Sequence, residues 1–207
     1  MDASRQCTRK PRTDFGTIIL HWTLVGALTV ATATGLAIAQ TVPGNAWPDA
    51  IASFLPLTQI WADHFRAGLA VIIIAIAYPV YVSRASLIPR IKLDAIRIRD
   101  LARHPYRWGT VNVALHWVCY LTLVTEIVTG LLLYLNHGGA TVLALHWAGM
   151  WAIIGFLPVH LLFHAAFGGA QQLLRLFRPA PLPVRPPPPF EPSPLDSQEP
   201  SPPTALP

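Results

Sequence analysis

Residues 141–167 read TVLALHWAGMWAIIGFLPVHLLFHAAF, without one Asp, Glu, Lys or Arg. A bilayer core is crossed by about 20 apolar residues of helix, and this run exceeds that length. Three more stretches share its character. Residues 17–40 carry no charge, 60–83 carry only Asp63 and Arg66 near their start, and 109–135 carry one acid, Glu126. Lipid offers no partner to an unpaired backbone amide, so runs this long are helices. A membrane barrel needs alternating segments of about ten residues instead. The predicted fold is an all-α integral membrane four-helix bundle, built of two hairpin-like halves.

Composition agrees. Hydrophobic residues make up 53% of the 207 positions and charged residues 12%, about half the charged share of a soluble domain. Mean hydropathy is +0.44. These values exclude a soluble globular protein, a disordered chain and a nucleic-acid binder, despite the net charge of +5. Cys7 and Cys119 form no CxxC pair, so no disulfide framework or zinc site is expected. The first apolar run is too long for a cleaved signal peptide and lacks a small-residue cleavage site.

Lys and Arg set the expected orientation. The N-terminus carries Arg5, Arg9, Lys10 and Arg12. Residues 84–107 carry Arg84, Arg90, Lys92, Arg97, Arg99, Arg103 and Arg107, and the C-terminal side carries Arg175, Arg178 and Arg185. Residues 41–59 and 136–140 carry none. By the positive-inside rule both termini and the basic loop are cytoplasmic, in a bacterial inner membrane. Three regions follow: a cytoplasmic segment 1–16, a membrane domain 17–168 and a cytoplasmic Pro-rich disordered tail 169–207. From Pro179 onward nearly every second position is Pro, a composition that cannot build a core. In the basic loop, Ile91, Ala95, Ile98 and Leu101 make one apolar stripe of a surface helix.

An internal repeat runs through the chain. Phe15-Gly16-Thr17 and Leu20-His21-Trp22 recur as Trp108-Gly109-Thr110 and Leu115-His116-Trp117. Thr34-Gly35 recurs as Thr129-Gly130, and the interval from His21 to Gly35 equals that from His116 to Gly130.

Six of the eight histidines fall in or at the ends of the four spans, where ionisable rings are costly and mark function. The step from His146 to His160 is close to four helical turns. The two share a face and stand about 21 Å apart along the axis. That distance cannot serve one ion, but it places one ligand near each side of the bilayer. With the orientation above, His64 matches the outer depth of His146, and His21 the inner depth of His160. Each pair brings two neutral imidazoles from different helices to one depth. A six-coordinate heme iron needs that arrangement, which favours electron transfer over oxygen chemistry.

The ordered set His21-Trp22, Thr34-Gly35, His64-Phe65-Arg66-Ala67-Gly68, and His146-Trp147-Ala148-Gly149-Met150-Trp151 followed by His160 resembles the bacterial cytochrome b561 family. It also resembles the related b-type cytochrome subunit of nickel-iron hydrogenases. The resemblance covers about residues 15–168. It implies a four-helix bundle holding two heme b groups non-covalently, with an electron path to or from quinone. The family's ligand positions fall on His21, His64, His146 and His160. His116 stays open as an alternative inner ligand, a propionate or quinone contact, or a packed histidine. His164, one turn past His160, stays open as a competing ligand, a propionate anchor or an interfacial residue. Arg66 can pair with Asp63 or contact a propionate, a quinone or a small anion. Glu126 is open to proton uptake, to burial as a neutral acid, or to a hydrogen bond with Thr122 or Thr129.

The leading functional expectation is a membrane di-heme cytochrome in a respiratory chain. It links the quinone pool to a partner such as a periplasmic c-type cytochrome, dehydrogenase or hydrogenase. Superoxide:quinone oxidoreductase activity is the enzymatic alternative. A non-catalytic anchor or assembly subunit is the structural one. A histidine transport relay fits less well, since relay groups should stand closer together than His146 and His160.

Overall fold

The computed structural model describes residues 13–41, 59–100 and 107–181. The N-terminal arginines, the segment 42–58, Leu101, Arg103, His104 and the tail from residue 182 lie outside the described residues. The long helices are α1 (Phe15–Gln40), α2 (Ile60–Arg84), α5 (Arg107–Tyr134) and α6 (Gly139–Leu173). Two short helices lie between α2 and α5: α3 (Ile88–Ile91) and α4 (Ala95–Asp100). Four segments are long and apolar enough to cross a membrane: Phe15–Gln40, Ile60–Arg84, Trp108–Tyr134 and Gly139–Phe167.

Exposure runs against that of a soluble protein. Ile73, Ile76, Tyr134 and Leu162 are each about 60% exposed or more, an unfavourable surface in water but the expected one against lipid tails. Few large side chains are buried among the described residues. Where α1 meets α2, the buried residues are Thr34, Ala37 and Ala39 on one helix and Ala67, Val71 and Ile74 on the other. Small residues let membrane helices approach closely where no hydrophobic effect drives them together. Hydroxyls of Thr29, Thr122 and Thr125 donate to the carbonyl four residues back, which satisfies them within their own helix.

α1 packs along α2, and α5 along α6, giving two hairpins. The hairpins touch mainly through α2 and α5, where the Tyr120 hydroxyl donates to the Ala75 carbonyl at 3.3 Å. The α5–α6 turn uses Asn136 and Gly138 at positive φ, the latter at +118°. A Cβ on Gly138 would also collide with Val142, so glycine is required there.

The end of the bundle bearing the basic loop is tied together by Asp14. Its carboxylate caps α1 through the Thr17 N–H at 3.0 Å. It also accepts from the Tyr81 hydroxyl at 2.7 Å and pairs with Arg90 at 2.7 Å. Burial alone would raise this carboxyl, but the hydrogen bonds from Tyr81, Thr17 and Arg90 hold it well below the usual range. Arg175 lies close by, and its guanidinium is lowered first by burial and then by Arg90, with Asp14 opposing. Thr13–Asp14 (β1) pairs in parallel with Pro179–Ala180 (β2). The chain after α6 thus returns to the start of α1. α6 is interrupted at Gly169 (φ 58°, ψ −166°), runs to Leu173, and continues as a 3-10 turn over Leu174–Phe177. In the basic loop, Arg97 and Ile91 offer carbonyls to the Thr110 hydroxyl and the Trp117 indole. Ile96 and Ile98 stay exposed.

Candidate functional site

The Thr-Gly repeat seen in sequence forms two matching cradles. In the first hairpin, His64 on α2 turns its Nδ1 to Thr34 Oγ1 (3.1 Å) and the Ala31 carbonyl (3.0 Å) on α1. In the second, His146 on α6 turns its Nδ1 to Thr129 Oγ1 (3.0 Å) on α5. Each threonine places its single hydroxyl proton on its own helix: Thr34 on Val30 and Ala31, Thr129 on Thr125 and Glu126. The oxygen that remains can only accept. Nδ1 is therefore the protonated nitrogen of both rings, and Nε2 keeps its lone pair. A ligating histidine is normally oriented in this way.

The glycines make room for the same rings. A Cβ on Gly35 would lie 3.3 Å from His64 Cε1, and one on Gly130 would lie 3.2 Å from His146 Cε1. No side chain could stand there without pushing the ring. The two rings face each other across the gap between hairpins, with centroids 6.2 Å apart and planes at 83°. Two imidazole nitrogens each about 2 Å from one metal ion lie about 4 Å apart, which puts the ring centroids about 6 Å apart.

At the basic end four histidines gather. His160 lies 6.5 Å from His21, 5.3 Å from His116 and 4.6 Å from His164 by ring centroids. Phe156 stacks on it at 5.2 Å. The His160 Nδ1 is buried without a hydrogen-bond partner among the described residues. Ring nitrogens of His116, His160 and His164 all lie within 4.8 Å of one another. His116 donates its Nδ1–H to the Asn112 carbonyl at 2.6 Å, since a carbonyl oxygen can only accept. The His21–His160 spacing is close to that of His64–His146. Of the sequence-selected histidines, the structure thus joins His64 with His146, and His21 with His160. It adds His116 and His164 to the second group.

The other candidates divide. Arg66 meets Asp63 at 2.9 Å on an exposed face of α2, the first of the partners open to it. Glu126 does not hydrogen-bond Thr122, which bonds Val118. Its Oε2 lies 3.4 Å from His146 Nδ1, and its Oε1 is buried without a hydrogen-bond partner among the described residues. In the sequence, Thr34 and Thr129 stand out only as markers beside a glycine. Their hydrogen bonds to the histidines depend on which helices are neighbours, although the repeat itself is the visible signal.

The family model described as prokaryotic cytochrome b561 matches residues 12–178. The chain belongs to that family. It is accordingly a membrane b-type cytochrome of electron transfer, and b-type heme held by histidine is the cofactor the family implies. Comparisons with curated proteins and with solved structures gave no match. The residues present fit such a group: free Nε2 lone pairs on His64 and His146, a spacing suited to one shared iron, two glycine openings, and an orphaned nitrogen on His160.

Proposed function

We propose that the chain is a di-heme cytochrome b carrying electrons across a bacterial inner membrane. The route runs between the quinone pool and a redox partner on the opposite face, in a respiratory chain. His64 and His146 would hold one heme toward the outer side, and His21 and His160 the other toward the cytoplasm. A b heme between two imidazoles supplies a reversible one-electron couple with no open coordination position. The protein's part is orientation. Thr34 and Ala31 fix the His64 ring, and Thr129 fixes His146. The apolar spans exclude water from both sites. Spacing along α6 sets the two levels about 21 Å apart by helix rise.

The observation carrying this reading is the duplicated Thr-Gly-His cradle, which engages Nδ1 of one ring in each hairpin and brings the two ring centroids to 6.2 Å. The distribution of Lys and Arg supports cytoplasmic termini. Quinone and lipid are the expected membrane partners. A periplasmic c-type cytochrome, dehydrogenase or hydrogenase is the expected protein partner. The test is a reduced-minus-oxidised spectrum with pyridine hemochrome quantitation on detergent-purified protein, followed by His→Ala changes at residues 21, 64, 146 and 160. Two b hemes per chain, each lost with either member of its pair, is the expected result. Protein without heme after heme-replete expression would sink the reading.

A further inference from the structure

The two cradles differ at one place. Four residues before Gly35 stands Ala31, and four before Gly130 stands Glu126. His64 Nδ1 therefore meets only a hydroxyl and a backbone carbonyl. His146 Nδ1 meets a hydroxyl, the equivalent backbone carbonyl of Glu126 and, in addition, a Glu126 carboxyl oxygen at 3.4 Å. Glu126 is the only acid within the span it occupies, and an ionisable group there is expensive unless it serves something. Its other oxygen has no hydrogen-bond partner among the described residues, so no structural network there accounts for it.

Gly149 explains how the carboxyl fits. A Cβ at this position would overlap Glu126 Oε1. Gly149 stands three residues after His146, one helical turn along the face that meets α5. The glycine of the His-Trp-Ala-Gly motif is thus the opening that admits the Glu126 carboxyl beside the ring.

We infer that Glu126 is a positioning residue for His146, lowering the reduction potential of the heme held by His64 and His146 relative to its counterpart. This rests on the proposed assignment of that heme. A carboxyl lying beside the protonated distal nitrogen of a ligating imidazole makes the ring a stronger donor to the metal. A stronger donor favours the oxidised ion, and the surroundings of the ligating ring are one of the protein's levers on heme potential. With no carboxyl at Ala31, the asymmetry acts through His146 alone.

The test is a redox titration of purified holoprotein, following each heme optically and by its ferric EPR signal. The outer heme is the one missing in His64→Ala. Glu126→Gln keeps shape and removes the strong acceptor. Gly149→Ala leaves Glu126 in place but displaces its carboxyl, and the atom it displaces is the free end of a flexible side chain. Both variants are expected to raise the outer midpoint, about tenfold in the reduction equilibrium or about 59 mV for one electron. The inner midpoint should stay fixed and both EPR signals should remain low-spin. An unchanged outer midpoint in both variants overturns the inference, as does an equal shift of both hemes. If Glu126→Gln does not retain heme, Gly149→Ala decides by the same criteria. Wild-type protein with no heme at His64 and His146 would instead overturn the site assignment.

Discussion

Replacing Gly35 or Gly130 tests whether the cradles hold the ligand rings. An alanine Cβ would stand 3.3 Å from His64 Cε1 or 3.2 Å from His146 Cε1. Carbon atoms rest about 3.5–4.0 Å apart, so each ring must retreat by about 0.2–0.8 Å. Binding sites tolerate about 0.5 Å before they loosen. Alanine therefore sits at the edge, and valine, with two more methyls aimed at the ring, is past it. Overpacking costs about 1–3 kcal/mol. Alanine recovers about 1 kcal/mol of helix propensity over glycine, which leaves a net cost of about 1 kcal/mol, or about fivefold in heme retention. Valine recovers less and falls at the upper end, about a hundredfold. Gly26 and Gly68 lie on the same two helices as the first cradle, with nothing within 4 Å of an added Cβ, so Gly26→Ala and Gly68→Ala are matched controls. Heme per chain would be measured by pyridine hemochrome after graded dilution in detergent. Loss graded from Ala to Val at 35 and 130, confined to one heme, is expected. Full retention of both hemes in Gly35→Val and Gly130→Val would refute the cradle.

His21→Ala should remove one heme while His116→Ala leaves both, because His116 stands on the same hairpin as His160 and His21 on the other; hemochrome stoichiometry of the two variants checks it, and the reverse pattern would move the inner ligand to His116. Asp14 gives a pH dependence. Its folded carboxyl is held below the unfolded value of about 3.9, so its contribution is fully present above about pH 4 and is lost as pH falls toward the folded value. Asp14→Ala should cost about 2–3 kcal/mol, from the lost cap and the stranded Tyr81 hydroxyl. The Arg90 side of the ion pair is 43% exposed and screened, so it adds little. Asp14→Asn keeps the cap and should lose only the acid-dependent part, read as a flatter thermal unfolding midpoint between about pH 5 and about pH 3.

The spans are legible in the sequence because membrane helices advertise themselves by length and apolar content, and the starts and ends read there fall within two residues of the described helices except at the end of α6. There the helix runs beyond Phe167 to Leu173, across Gly169, where glycine permits the break that polar composition alone does not place. The closeness of the His64 and His146 rings is legible from depth and orientation, since a helix fixes height along its axis. Azimuth between helices is a different matter. Nothing in spacing puts Thr34 against His64, or Glu126 against His146, because those contacts depend on how one helix rotates against its neighbour. The depth of His116 and His164 near His160 is legible in the same way, but how closely their ring nitrogens approach depends on helix rotation and is not.

The repeat also explains why the two ends of the bundle differ. Four turns beyond His146 stands His160, whereas the equivalent position beyond His64 is Tyr78. His21 and His116 are both present, so the duplicated halves offer two candidate ligands from α1 and α5 but only one from these equivalent positions of α2 and α6. At the level of His64 and His146 the halves contribute equally, and the rings face each other across the gap between hairpins. At the level of His160 they cannot, because a phenol in place of the second imidazole is a poor partner for iron held by neutral nitrogen donors. A bis-imidazole site that spans the same gap there must draw one ring from each hairpin, and His160 is the sole contributor from the α2 and α6 positions. In the proposed two-heme arrangement, taking His160 from the second hairpin would call for a partner from the first, His21 rather than His116. His116 belongs to the same hairpin as His160, and in that arrangement it would stand beside the inner site with its Nδ1–H on the Asn112 carbonyl.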